Sequence, residues 1–87
     1  MTVMAVVNPR LDRFVVRMRR KLALPQNQAK GDWRNESDLW LLSRLQAELS
    51  EMATALDLGD REGFADECAD AANVLMMLAD NSRPEGA

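Results

Sequence analysis

At 87 residues, 47% hydrophobic and 29% charged, the chain has the size and composition of one small globular domain rather than a disordered segment. It contains no histidine, which excludes Ser-His and Cys-His catalysis and His-containing zinc sites. A formal net charge of −3, with a pI near 4.8, disfavours nucleic acid as a partner.

Residues 1–7 are apolar and short, expected as an N-terminal arm or part of a subunit contact, without the basic start of a leader. No apolar run approaches the roughly 18 residues that span a membrane. Asn8-Pro9 predicts a helix start, an N-cap followed by proline in the first turn. Leu11, Phe14, Val15, Met18 and Leu22 follow helical spacing to about Leu24. Arg10, Arg13, Arg17 and Arg20 line the other side, as a solvated face or as phosphate-steering charge.

Pro25 stops that helix, and residues 25–36 read as a patternless polar loop containing K-G-D-W. Lys30 offers a point charge for phosphate, and Trp33 offers a flat apolar surface or a cover for the core. Ser37 or Asn35 caps the next helix, predicted to run to about Asp57 and carrying Trp40 and Arg44. Arg44 is one turn from Glu48 and suits an ion pair with it. Asp57-Leu58-Gly59-Asp60 is a turn signal, and a last helix is predicted over residues 60–81. Residues 57–68 do not fit a calcium loop, because Gly59, Arg61 and Cys68 fall on ligand positions. Cys68, the single cysteine, lies on an apolar face as core filler, in keeping with a reducing cytoplasm. Val74–Leu78 are apolar around most of the helix, which predicts burial on all sides and a subunit interface. Asn73 is the polar exception there, a core amide or a ligand contact. Residues 82–87 read as a flexible tail.

Charge divides unevenly. Residues 1–34 hold eight Lys/Arg against two acids, and residues 35–87 hold three against twelve. Such halves can pack on each other or together hold a metal-bound polyanion.

The last two helices carry E-L-S-E at 48–51 and E-C-A-D at 67–70, acidic pairs with i, i+3 spacing. Residues three apart are neighbours on a helix, so each pair can present two carboxylates to one point. At 100° per residue, both pairs fall on the same shoulder of an apolar sector spanning roughly 20–140°. An antiparallel hairpin about the turn would bring Glu48, Glu51, Glu67 and Asp70 to one level, roughly 12–17 Å from it. Like charges so close resist joint ionisation, and a hard divalent cation with oxygen ligands relieves them. The alternative is that these are solvated helix positions.

The order E-x-x-E, fifteen residues, E-x-x-D resembles the signature of the all-α nucleoside triphosphate pyrophosphohydrolases, the superfamily of MazG and the dimeric dUTPases. K-G-D-W upstream and A-D-A-A-N-V-L-M-M-L-A-D downstream are similar to the small MazG-like proteins, over about residues 27–80. The resemblance implies an all-α, three-helix protomer that assembles into a helical-bundle dimer or higher homo-oligomer. It further implies Mg²⁺-dependent cleavage of a nucleoside triphosphate to the monophosphate and pyrophosphate, with Mn²⁺ as a substitute. Glu48, Glu51, Glu67 and Asp70 would be metal ligands, one of them accepting the proton of the attacking water. Lys30 and Trp33 match the segment near the nucleotide, and Trp40, Arg44 and Asn73 are further substrate-binding candidates. The chain ends where many relatives carry a fourth, basic helix; Asn81 and Arg83 are weak substitutes for it. Two other readings are a small helical nucleic-acid binder and an inactive nucleotide-binding relative.

Overall fold

All described elements are helical, in the order α1 (Pro9–Leu22), α2 (Pro25–Gln28), a 3₁₀ turn (Trp33–Asn35), α3 (Asp38–Asp57) and α4 (Arg61–Asn81). The structure is a computed structural model and describes residues 7–28 and 31–82. Residues 1–6 of the N-terminal arm, Lys30 and all of the tail except Ser82 lie outside the described residues. No described helix is long and apolar enough to cross a membrane.

Short polar side chains start each long helix. Asn8 Oδ1 accepts from the Leu11 amide at 3.0 Å, Ser37 Oγ from Trp40 at 3.1 Å, and Asp60 Oδ1 from Gly63 at 2.9 Å. Each satisfies one amide that the first helical turn leaves without a partner. The end of α3 is closed by a left-handed Gly59 (φ 68°), whose amide reaches Leu56 O at 3.1 Å while that of Asp60 reaches Ala55 O at 3.0 Å. This paired pattern requires a residue that tolerates positive φ, and only three residues separate α3 from α4.

Residues 25–36 differ from the sequence expectation of a patternless loop. Pro25 begins the single turn of α2, where its missing N–H costs nothing. Asn27 Nδ2 and Gln28 Nε2 donate to the carbonyls of Lys21 (2.6 Å) and Leu22 (2.7 Å) in the last turn of α1. The Asp32 side chain caps the 3₁₀ turn through the Arg34 amide and also pairs with the Arg34 guanidinium at 2.8 Å. Asn81 Nδ2 donates to Trp33 O at 3.3 Å, tying this turn to the end of α4.

Helix α4 is the common neighbour. It packs along α3 and on α1, whereas no Cα of α1 comes within 8 Å of a Cα of α3 among the described residues. Arg17 reaches Asp66 (2.8 Å) and Glu62 (3.2 Å), and Lys21 reaches Asp70 (3.3 Å), so α1 and α4 run in the same direction. The basic front half therefore does pack on the acidic back half. Hydrogen bonds from Arg17 to Asp66 and Glu62 hold its guanidinium pKa above the ordinary value. Leu11 lies before the start of α4 and stays exposed, unlike the rest of its stripe.

The buried apolar core among the described residues is Leu41, Ala55, Ala69, Ala71 and Val74. Three alanines in five make a small core, and large apolar groups lie outside it. Leu42, Leu49 and Leu56 are 44%, 51% and 54% exposed, at heptad spacing along α3, with half-buried Leu45 and Met52 between them. On α4, Val74 is buried, Met76, Met77 and Leu78 are half-buried and Leu75 is exposed, so the protomer itself covers much of the expected interface segment.

Candidate metal and phosphate site

The face that α3 turns toward its neighbours is the one carrying Glu48. Glu48, expected on the shoulder of an apolar face, is buried at 4% exposure, level with Leu41 and Ala55, and the leucine stripe is turned outward. Periodicity places residues around a helix but does not say which side the neighbouring helices occupy.

Glu48 of α3 and Glu67 and Asp70 of α4 converge, with one carboxylate oxygen from each lying within 4.8 Å of the others. Glu48 Oε2 and Glu67 Oε2 are both buried without a hydrogen-bond partner. Glu51 is exposed and stands outside this triple, although its carboxyl is close enough to those of Glu48 and Glu67 to raise the pKa of both. Two carboxyl groups so placed can hydrogen-bond only through a shared proton. Burial, with the contacts and charges of Glu51 and Glu48, pushes the Glu67 pKa up to about 8. Glu48 is also raised, first by burial and then by the charges of Glu51 and Asp70, against an opposing hydrogen bond from Glu67.

Two cations reach the cluster from different elements. Arg44 Nη2 lies 3.3 Å from Glu48 Oε1, the local pair expected from their spacing, and its guanidinium sits 6.0 Å from the Trp40 ring centroid. Lys21 Nζ lies 3.3 Å from Asp70 Oδ2, both side chains largely buried. Sequence reasoning missed Lys21. The signal is there: Arg17 and Lys21 repeat at four residues, as do Asp66 and Asp70, so two cations can face two acids across parallel helices.

A cavity of about 370 Å³ opens beside the acids, bordered by Glu48, Glu51 and Asp70. Lys21 and Arg44 supply its positive wall, and Trp33 and Trp40 its aromatic surface. Asn73 also borders it, with its Nδ2 committed to Met18 O at 3.0 Å and its Oδ1 buried without a partner. The expected core amide is thus only half satisfied. Trp33 Nε1 is likewise buried and unpartnered. Glu67 belongs to the acidic triple but does not border the cavity. Of the expected phosphate groups, Asn81 is engaged with Trp33 O, and Lys30 and Arg83 lie outside the described residues.

The donor set fits a hard divalent cation. It offers only carboxylate oxygens, the preference shared by Mg²⁺, Ca²⁺ and Mn²⁺, and it includes two buried oxygens that no N–H donor reaches. An unsatisfied buried polar group costs on the order of 1–3 kcal/mol, and more when charged. Against a typical domain stability of about 5–15 kcal/mol, two such oxygens weigh heavily unless a cation or proton compensates them. Compared with models of known protein families, with curated proteins and with solved structures, the chain matches none.

Proposed function

We propose that this chain is a MazG-like, all-α nucleoside triphosphate pyrophosphohydrolase, converting a (d)NTP to the monophosphate and pyrophosphate with Mg²⁺, or Mn²⁺ in its place. The observation that carries the reading is the convergence of Glu48, Glu67 and Asp70 beside a cavity with both cationic and aromatic walls. Phosphoryl transfer requires positioning and charge neutralisation more than a protein nucleophile, which suits a chain without histidine. A bound divalent cation supplies charge neutralisation at the phosphates and a water of lowered pKa. Glu48, Glu67 and Asp70 would hold the cation. Glu51, exposed at the cavity edge, accepts the proton of the attacking water. Arg44 donates to phosphate oxygens, and Trp33 and Trp40 offer flat apolar surface to the base.

In this reading α3 and α4 form an antiparallel acidic hairpin, and a second copy covers the outward stripe of Leu42, Leu49 and Leu56. That stripe is apolar, regular, and too extensive for so small a core to spare. The nucleic-acid reading loses support because Arg17 and Arg20 of the basic stripe are engaged by α4 acids. Pyrophosphate release from a panel of NTPs and dNTPs, in Mg²⁺ and in EDTA, tests the proposal. Release in Mg²⁺ alone, absent from Glu48→Gln, is expected; neither release nor nucleotide binding under any condition would end the reading.

A further inference from the structure

We propose that Lys21 occupies the place of the divalent cation at Asp70 and transfers to the polyphosphate when the cation binds. This rests on the metal-site reading above and adds a substrate-binding residue on α1. The Lys21 ammonium lies 3.3 Å from Asp70 Oδ2, with the two side chains 18% and 20% exposed. Unlike the local Arg44–Glu48 pair, this pair joins two helices, and its position is fixed on both sides. Three residues before Lys21, Met18 O accepts from Asn73 Nδ2 at 3.0 Å; four residues before it, Arg17 holds Asp66 at 2.8 Å.

Asp70 is one of the three acids whose oxygens converge within 4.8 Å. An ammonium and a divalent cation on that one carboxylate repel each other strongly in a part-buried site, so the cation weakens the hold of Asp70 on Lys21. The ammonium sits on a flexible four-carbon stem with three rotatable donors, so it can move while α1 stays docked. It borders the same cavity as Arg44 and Asp70, so a polyphosphate chain there would meet it. Lys21 should therefore oppose the metal when the cavity is empty and assist the triphosphate when it is filled. Metal and nucleotide then bind with positive coupling.

Opposite signs on two ligands test this. Mn²⁺ affinity is measured by loss of the free-ion electron paramagnetic resonance signal, without nucleotide, for the native chain, Lys21→Met and Lys21→Arg. Binding of an α,β-methylene nucleoside triphosphate is then measured by calorimetry in saturating Mg²⁺. Lys21→Met should bind Mn²⁺ alone at least threefold more tightly and the analogue at least tenfold more weakly; Lys21→Arg should stay near the native values in both. If Lys21→Met does not fold, as judged by circular dichroism, Lys21→Gln removes the charge and retains a donor to Asp70. Unchanged Mn²⁺ affinity, or weakening toward both ligands, in a folded charge-free variant overturns the role of Lys21 and leaves the metal site standing. No Mn²⁺ binding by native chain or variant overturns both.

Discussion

The amide nitrogen of Asn73 donates to the Met18 carbonyl at 3.0 Å, joining α4 to α1, and leaves the Asn73 oxygen buried and unpartnered beside the candidate site. A group so placed serves structure with one end and is available to a ligand with the other. Asn73→Ala should lower unfolding free energy by about 1–3 kcal/mol, the usual loss for a buried polar link. Asn73→Asp should cost more, because it adds a charge near Asp70 and Lys21 without replacing the donor. Urea denaturation of both variants gives the comparison, and an Asn73→Asp variant as stable as the native chain would contradict it.

The acidic residues should separate activity from folding. Glu48→Gln, Glu51→Gln, Glu67→Gln and Asp70→Asn should each lose most Mg²⁺-dependent pyrophosphate release and retain helical content by circular dichroism. Two of these variants with full activity would be incompatible with the site.

Stability should vary with pH in an unusual direction for carboxylates. Glu67 titrates at about 8 in the folded chain, above its ordinary 4.5, and Glu48 is shifted the same way. Between those pH values the folded state keeps a proton that the unfolded chain has released, so stability falls as pH rises. The contribution is fully present below about pH 4.5 and lost through about pH 8. Asp32, held below the ordinary carboxylate range mainly by its hydrogen bonds from Arg34, acts only at more acid pH. Thermal melts in EDTA should show a midpoint that decreases from pH 5 to pH 8.5. Glu67→Gln should flatten that slope, and so should Mg²⁺, which displaces the proton. A midpoint that climbs with pH in EDTA would rule this out.

The leucine stripe of α3 should report on assembly. In an isolated protomer Leu42→Lys with Leu49→Lys changes two exposed positions and should shift stability by only about 0.5 kcal/mol each. If a second copy covers the stripe, the double variant should sediment as a monomer while the native chain sediments as a dimer or larger. Identical sedimentation as monomers would remove the oligomer from the proposal.

The helices were legible in the sequence because their ends carry local chemistry. Asn8-Pro9, Ser37, Gly59 and Asp60 act where the sequence places them. The short turns at Pro25–Gln28 and Trp33–Asn35 were not, because a four-residue helix has no period to detect and depends on partners such as Lys21 O and Asn81. The i, i+3 spacing of the acids indicated a cluster. Its composition was set by tertiary geometry, which buried Glu48, left Glu51 exposed and brought Lys21 from a helix far away in sequence.

The small core also sets how far a carboxylate must reach. Ala55 on α3 and Ala69 and Ala71 on α4 are buried, and small residues let neighbouring helix axes approach toward the near end of the usual range of about 8–10 Å. Side chains as short as aspartate and glutamate can then meet from opposite helices. A larger residue at Ala71 should thus spread the oxygens of Glu48, Glu67 and Asp70 and weaken cation affinity without touching any donor. The methyl group of an alanine, chemically inert, is in this sense a spacer that tunes the site.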